Sequence, residues 1–338
     1  MEAIELLILI LKIVIFPGAL FCIAYGWFLE WFDRKLYARF QNRVGPFLTG
    51  PRGILQPFAD FIKLLAKEDI TPIEADKFGF TATPLLTLIV SLFTLLFIPI
   101  TSLSGILSFP GDLLFVLFIS TVFGLLIMFA GYFSGNRFSI IGTERTGLQF
   151  IAYEIPFVLS VISVALIARS LEIENIVKYQ IETLGLPLII ATPVTFVVYL
   201  VAFVIYLISS LAKLEKVPFD IPEAETEIVS GWQVEYSGKK LAFFRLATDL
   251  KMVFVSGLAA TLFLGGPYGP SIPGLEPVFY TIWFIIKTLV VMFILSNLRS
   301  LFARYKIDQM VRGFWKYLIP IAILQILAVE VLIFWGVF

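Results

Sequence analysis

Eight apolar runs recur along the chain, at about 4–30, 80–103, 112–133, 148–169, 187–211, 241–264, 276–298 and 314–336. Each reaches about 20 residues, enough for a helix rising ~1.5 Å per residue to cross a hydrocarbon core ~30 Å thick. Only helices and closed barrels satisfy every backbone donor and acceptor in lipid, and runs of this length favour helices. The pattern predicts an all-α polytopic membrane protein, a single membrane domain over 1–338 with eight transmembrane helices. Between the first two runs the period changes. Ile54, Phe58, Phe61, Ile62 and Leu65 share one helical face, and Gln56, Asp60, Lys63 and Lys67 share the other, with Pro57 suited to a first turn. That segment, about 54–67, is expected to be an amphipathic helix lying in the interface, a role that does not exclude packing on a partner.

Composition agrees: 59% of the 338 residues are hydrophobic, 15% are charged, and the mean hydropathy is +0.96. The formal net charge is zero, so nothing points to nucleic acid. Met1 leads into an apolar run without a basic stretch or a small-residue cleavage site, and no removable signal peptide is expected. There is one cysteine, Cys22, and no histidine. Iron–sulfur clusters need several thiolates, haem is commonly held by histidine, and zinc sites are built mainly from both. Electrons, if the system carries them, are expected to sit in other chains.

The basic residues orient the spans. The connections 31–79, 134–147, 212–240 and 299–313 hold eight, two, four and four lysines or arginines, whereas 104–111, 170–186 and 265–275 hold only Lys178. Basic loops stay cytoplasmic, so the large loops are placed in the cytoplasm and both termini outside, across the cell membrane.

Candidate chemistry lies where charge meets lipid. The connection after the fifth run, Lys216-Val217-Pro218-Phe219-Asp220-Ile221-Pro222-Glu223-Ala224-Glu225-Thr226-Glu227 and then Glu235, brings five carboxylates together. Dense carboxylates repel, which raises some of their pKa values and makes them titrate as a group. The prolines, Phe219 and Trp232 argue for an ordered, partly buried segment over a solvated acidic loop. Within the runs, Glu154 precedes Pro156, Arg245 and Asp249 stand four apart with Lys251 close by, and Lys287 lies deep in the seventh. An ionised group in hydrocarbon costs several kcal/mol, roughly 2.5–3.5 on insertion scales. Two readings stay open for these groups, a proton or charge relay and neutralised structural pairs. No motif for stand-alone catalysis is present.

Longer motifs carry a resemblance. They are Asp33-Arg34-Lys35 with Ala38-Arg39 and Gln41-Asn42-Arg43-Val44-Gly45-Pro46, then Leu55-Gln56-Pro57-Phe58-Ala59-Asp60. Arg145, Tyr153-Glu154, Pro218–Glu225, Glu235-Tyr236-Ser237-Gly238 and Arg304-Tyr305-Lys306-Ile307-Asp308-Gln309 follow. Nearly end to end, the chain resembles the family of complex I membrane subunits designated 1 or H, and their relatives in membrane-bound NiFe hydrogenases. The resemblance implies an eight-helix subunit joining a peripheral redox arm to antiporter-like membrane subunits. In quinone-reducing members it contributes to the quinone cavity. Its carboxylates, here Asp60, Glu154, Asp220, Glu223, Glu225, Glu227 and Glu235, with Glu144, Asp249 and Lys287 as further candidates, would link that cavity to H⁺ or Na⁺ translocation. Asp33, Arg34, Arg39, Arg43, Arg145 and Phe219 would face the cavity or the peripheral arm.

Three departures bear on the branch. Asp33-Arg34 stands where the family usually has Glu-Arg. Gly45-Pro46-Phe47-Leu48 lacks the Asn and Arg usual in quinone-linked members, and Thr248 holds the place of an acid that Asp249 neighbours. The sequence therefore leans toward a ferredoxin-linked hydrogenase or sulfur-reducing complex, with a quinone oxidoreductase as the alternative and a stand-alone transporter as a second one. The expected partners are NiFe-hydrogenase-like large and small subunits, an iron–sulfur subunit, antiporter-like subunits and lipid. Quinone is the one cofactor left open for this chain, and NiFe and iron–sulfur centres are expected in partners only.

Overall fold

A computed structural model describes residues 2–184 and 193–336. Its helices are α1 (Glu2–Val14), α2 (Ala19–Phe40), α3 (Gln56–Leu65), α4 (Lys77–Leu95), α5 (Asp112–Phe133), α6 (Arg137–Ala168) and α7 (Ile173–Leu184). They continue with α8 (Pro193–Lys213), α9 (Glu225–Ile228), α10 (Gly238–Phe263), α11 (Glu276–Leu301), α12 (Ile307–Gly313) and α13 (Ile319–Phe334). Among the described residues there is no strand. Eight helical stretches are long and apolar enough to cross a membrane, as expected. The first is a correction in detail: α1 and α2 are separated by a break at 15–18, next to Pro17, and α2 runs on to Phe40. The last is α12 and α13 joined through a π-helical turn at Phe314–Leu318. The start of the fifth expected span, 187–192, lies outside the described residues.

Local chemistry fixes several ends. Asp76 caps α4 by accepting from the backbone N–H groups of Phe78 and Gly79, each at 3.0 Å, and Asn136 caps α6 through Phe138 N–H at 2.8 Å. Inside the spans, Thr87, Thr94, Ser160, Ser256 and Thr261 return their hydroxyls to carbonyls three or four residues back, so these buried polar groups need no distant partner.

α10 is buried along nearly its whole length, whereas the first and last spans present most of their surface outward. It packs on α4, α2, α11 and α3, while α6 packs on α8, α5 and α13. α3 is the expected amphipathic helix, with Phe58 and Ile62 exposed and Pro57 and Leu64 buried. Trp27 of α2 meets Phe58 and Phe61 of α3 at 5.0 and 5.6 Å between ring centres. The contact roofs a hollow between α2, α3 and α10.

Candidate functional site

That hollow is a cavity of about 330 Å³ on the side of the basic loops, walled by α2, α3, α5, α10 and the segment 214–233. Its walls carry the carboxylates Glu30, Asp60, Glu215, Asp220, Glu223 and Asp249 and the cations Arg34, Lys216, Arg245, Lys251, Arg299 and Arg304. The signs balance when all are ionised, so gaining or losing one proton leaves a net charge in a poorly solvated space.

Two layers of ion pairs organise the charges. On the α2 side, Arg34 binds Glu30 at 2.6 Å and Asp60 at 2.8 Å. Asp33, nearly fully buried, is held by Lys216 at 2.5 Å, Arg299 at 2.6 Å and the hydroxyl of Ser296. Deeper in, Lys213 at the end of α8 lies 3.1–3.2 Å from both oxygens of Glu154 and 3.1 Å from Ser120 Oγ, with Phe157's ring 4.1 Å away. Lys251 stands 3.9 Å from Glu215 and 4.5 Å from the ring centre of Phe123. Its ammonium lies within electrostatic reach of Lys213, Glu154 and Glu223 as well, between the cavity and the deeper pair but without a direct contact to that pair. The charged series thus runs from Glu223 and Glu215 at the cavity, through Lys251, to Lys213 and Glu154 among the spans.

Two groups outside the spans are strongly perturbed. Burial, reinforced by Glu215, pushes the Glu223 carboxyl up to about 8 against the pull of Arg245 and Lys251. Burial also raises Glu215, opposed by Lys251 and by the nearby Trp232 indole. That indole N–H lines the cavity without a well-formed hydrogen bond to protein. Among the described residues, no cluster of His, Cys, Asp and Glu could hold a metal ion.

The structure distributes the expected residues over several places. Arg34, Asp60, Asp220, Glu223 and Asp249 line the cavity, and Glu154 joins it through lysine. Glu227 pairs with Arg145, Asp220 with Arg304 at 2.7 Å, and Asn136 donates to Glu235, so these tie the acidic segment to its neighbours. Phe219 is buried against Phe314 and Tyr305, at 5.4 and 5.9 Å. Glu144 and Arg39 are exposed, and Arg43 rests 5.7 Å over Tyr37. The side chain of Glu225 lies outside the described residues.

Two expectations need correction. Arg245 and Asp249 are not within ion-pair distance of each other: Asp249 lies amid Glu30, Lys216 and Arg34, and the charge of Arg245 acts on both Asp249 and Glu223. Lys287 is remote from the series. It donates to the carbonyls of Gly266 and Tyr268, both at 2.7 Å, and anchors the Gly/Pro-rich loop on the opposite side. Sequence reasoning also missed Glu30, Lys213, Glu215, Arg299 and the pairing role of Lys216. The one local hint was the Lys-x-Glu-Lys spacing at 213–216, where the fifth span meets the acidic segment.

Fold and site together define a polytopic helical membrane protein in which a charge-balanced cavity at one boundary continues as ion pairs into the apolar interior. A family model described as NADH dehydrogenase matches residues 11–330, and the chain belongs to that family, whose curated members include the H subunits of NADH-quinone oxidoreductases. It is 38% identical over 319 residues to the NADH-quinone oxidoreductase H subunit of Thermomicrobium roseum, covering 92% of each chain. The protein of the same name from Dehalococcoides mccartyi is 40% identical over 305 residues, 90% of this chain and 82% of the relative. The one from Phocaeicola vulgatus is 35% identical over 341 residues, 97% and 92% respectively.

Proposed function

We propose that this chain couples electron transfer in a peripheral redox arm to H⁺ or Na⁺ translocation by antiporter-like membrane subunits, in the cell membrane with its basic loops cytoplasmic. The observation that carries the proposal is the charged series from Glu223 through Glu215 and Lys251 to Lys213 and Glu154. A charge change at the cavity alters the field on Glu215 and Lys251. That shift redistributes protons or ion-pair partners at Lys213 and Glu154, so the disturbance reaches the membrane interior without an electron passing through this chain.

Quinone is the acceptor that the relatives' printed names favour, and the cavity suits its headgroup. Trp27, Phe61 and Phe123 offer ring surface, and Arg245 offers donors to the headgroup oxygens. A bound quinone would accept electrons and protons. The chain's own part is to orient it, limit water and answer with Glu223 and Glu215. A second reading, a ferredoxin-linked hydrogenase or sulfur-reducing complex with NiFe-type partners, rests on Phe47-Leu48 standing in place of Asn and Arg.

The test uses the purified native complex in proteoliposomes. Glu154→Gln and Glu223→Gln should each lower ion pumping at least tenfold while electron transfer by the peripheral arm stays measurable. Wild-type pumping in both variants would remove the proposal.

A further inference from the structure

Gln149 of α6 closes a clamp that none of the charged groups supplies. It is 1% exposed, and its Nε2 donates to Ala212 O and to Phe219 O, each at 2.8 Å. Both partners are carbonyls, so the NH₂ end of the amide must face them, one hydrogen to each. Ala212 is the residue before Lys213 at the end of α8, and Phe219 precedes Asp220 in the acidic segment. One side chain therefore pins both ends of the turn that joins the fifth span to the cavity wall. Among the described residues, Phe219 O accepts from no other donor.

The pinned turn closes α8 with a charged residue where glycine is the usual choice. Glu215 N–H donates to Ala212 O at 3.2 Å and Lys216 N–H to Leu211 O at 3.4 Å, the paired bonds of a Schellman ending. Such an ending needs one left-handed residue just beyond the helix, and here that residue is Glu215, with φ 53°. A side chain held there carries a steric cost that glycine would avoid. In return the turn sends three charges to three walls: Lys213 to Glu154 of α6, Glu215 toward Lys251 of α10, and Lys216 to Asp33 and Glu30 of α2. Gln149 bears a cost as well, because its Oε1 is buried without a hydrogen-bond partner. The amide is thus imperfect as a packing element, but it fixes the Lys213 turn against the acidic segment.

We propose that Gln149 is a positioning residue for coupling, which holds Lys213, Glu215 and Lys216 at set places relative to the acidic segment. The inference rests on the coupling role given above and adds to it an uncharged residue outside the cavity. With the clamp closed, a charge change at Glu223 or Glu215 acts on Lys213 through a turn that cannot slacken. With the clamp open, the segment 214–219 shifts by itself, Lys213 stays on Glu154, and the disturbance is spent before it reaches the interior. Electron transfer in the peripheral arm does not pass through Gln149 and continues.

The experiment compares Gln149→Leu and Gln149→Glu with wild type in the purified native complex, by amide hydrogen exchange and, in proteoliposomes, by ions moved per electron. Gln149→Leu has no donor for either carbonyl. The amides of Leu214, Glu215, Lys216 and Phe219, all bonded within the turn, should exchange about tenfold faster than in wild type. Those of α10 should keep their rates, and ions moved per electron should fall roughly threefold or more. Gln149→Glu has one O–H donor while protonated and none once ionised. Its ion yield should start nearer to wild type and fall further as the assay pH is raised, a dependence that lost packing alone does not produce. Unchanged exchange in Gln149→Leu would overturn the clamp, and faster exchange with a wild-type ion yield in both variants would overturn its part in coupling. Glu154→Gln and Glu223→Gln in the same vesicles separate the two failures. A wild-type ion yield in that pair removes the coupling role itself, whereas a wild-type yield in the Gln149 variants alone removes only the positioning role.

Discussion

Lys213 brings its ammonium to the apolar interior, where one carboxylate, one hydroxyl and the faces of Tyr153 and Phe157 surround it. Two charges that have left water hold each other only while both remain. Removing one partner of a buried pair costs about 3–5 kcal/mol, whereas replacing both with uncharged groups of similar volume is often neutral. Glu154 keeps 12% side-chain exposure, so the lower end of that range applies. Lys213→Met should therefore destabilise the purified chain by roughly 3 kcal/mol, and Glu154→Gln in the same chain should restore most of the loss. Denaturant titrations of both single variants and the double variant measure the interaction directly. Additive losses would mean that the two charges do not depend on each other. Stability and coupling separate here: the double variant is expected to be well folded and unable to pump, because neither remaining side chain changes charge.

At the scale of elements, the approach of α2 to α10 sets the geometry of the cavity. Gly26 faces the backbone of Asp249 at a distance that would leave an added Cβ 3.4 Å from the Asp249 carbonyl carbon, an ordinary contact. Gly26→Ala should thus be tolerated. Gly26→Leu overfills the contact, costs about 1–3 kcal/mol and pushes α10 away from Glu30 and Arg34. Its expected signature is a loss of ion pumping larger than the loss of electron transfer, and a wild-type ratio of the two would show that this contact does not set the cavity. The same scale explains what could be read in advance. Lipid demands about 20 apolar residues per crossing, and that demand made the spans and the amphipathic face of α3 visible. α7 was harder. It is a short amphipathic helix within a connection, with a Glu174–Lys178 pair at 2.6 Å on its surface, and its buried Ile173, Ile176, Val177 and Gln180 mark the inner face. Most acids of the site were legible through the resemblance, but Glu30, Glu215 and the partners Lys213, Lys216 and Arg299 were not. Asp33 and Arg299 are joined across 266 residues of sequence, and Lys213 looks like any cation ending a span. Lysines at such places usually snorkel to water, and this one is held inside by Glu154 and Ser120.

On the scale of the whole molecule, the loop residues of the cavity belong to the side that carries the basic loops, with Phe123 and Lys251 reaching to the middle of their helices, and Lys287 with the Gly/Pro-rich loop belongs to the other side. Function depends on which side faces the redox partner. If basic loops stay cytoplasmic, the cavity opens toward cytoplasmic electron carriers. Cys22, the only cysteine, is buried at 2% exposure, so a Cys22→Ser background allows single reporters to be placed. Lys178 of α7 and Lys67 after α3 are both exposed and lie on opposite sides of the spans. In intact cells a membrane-impermeant maleimide should label Lys178→Cys and leave Lys67→Cys unlabelled until the membrane is opened. The reverse pattern would turn the cavity outward and leave it unable to meet a cytoplasmic redox arm. Labelling of both in intact cells would break the eight-span topology itself.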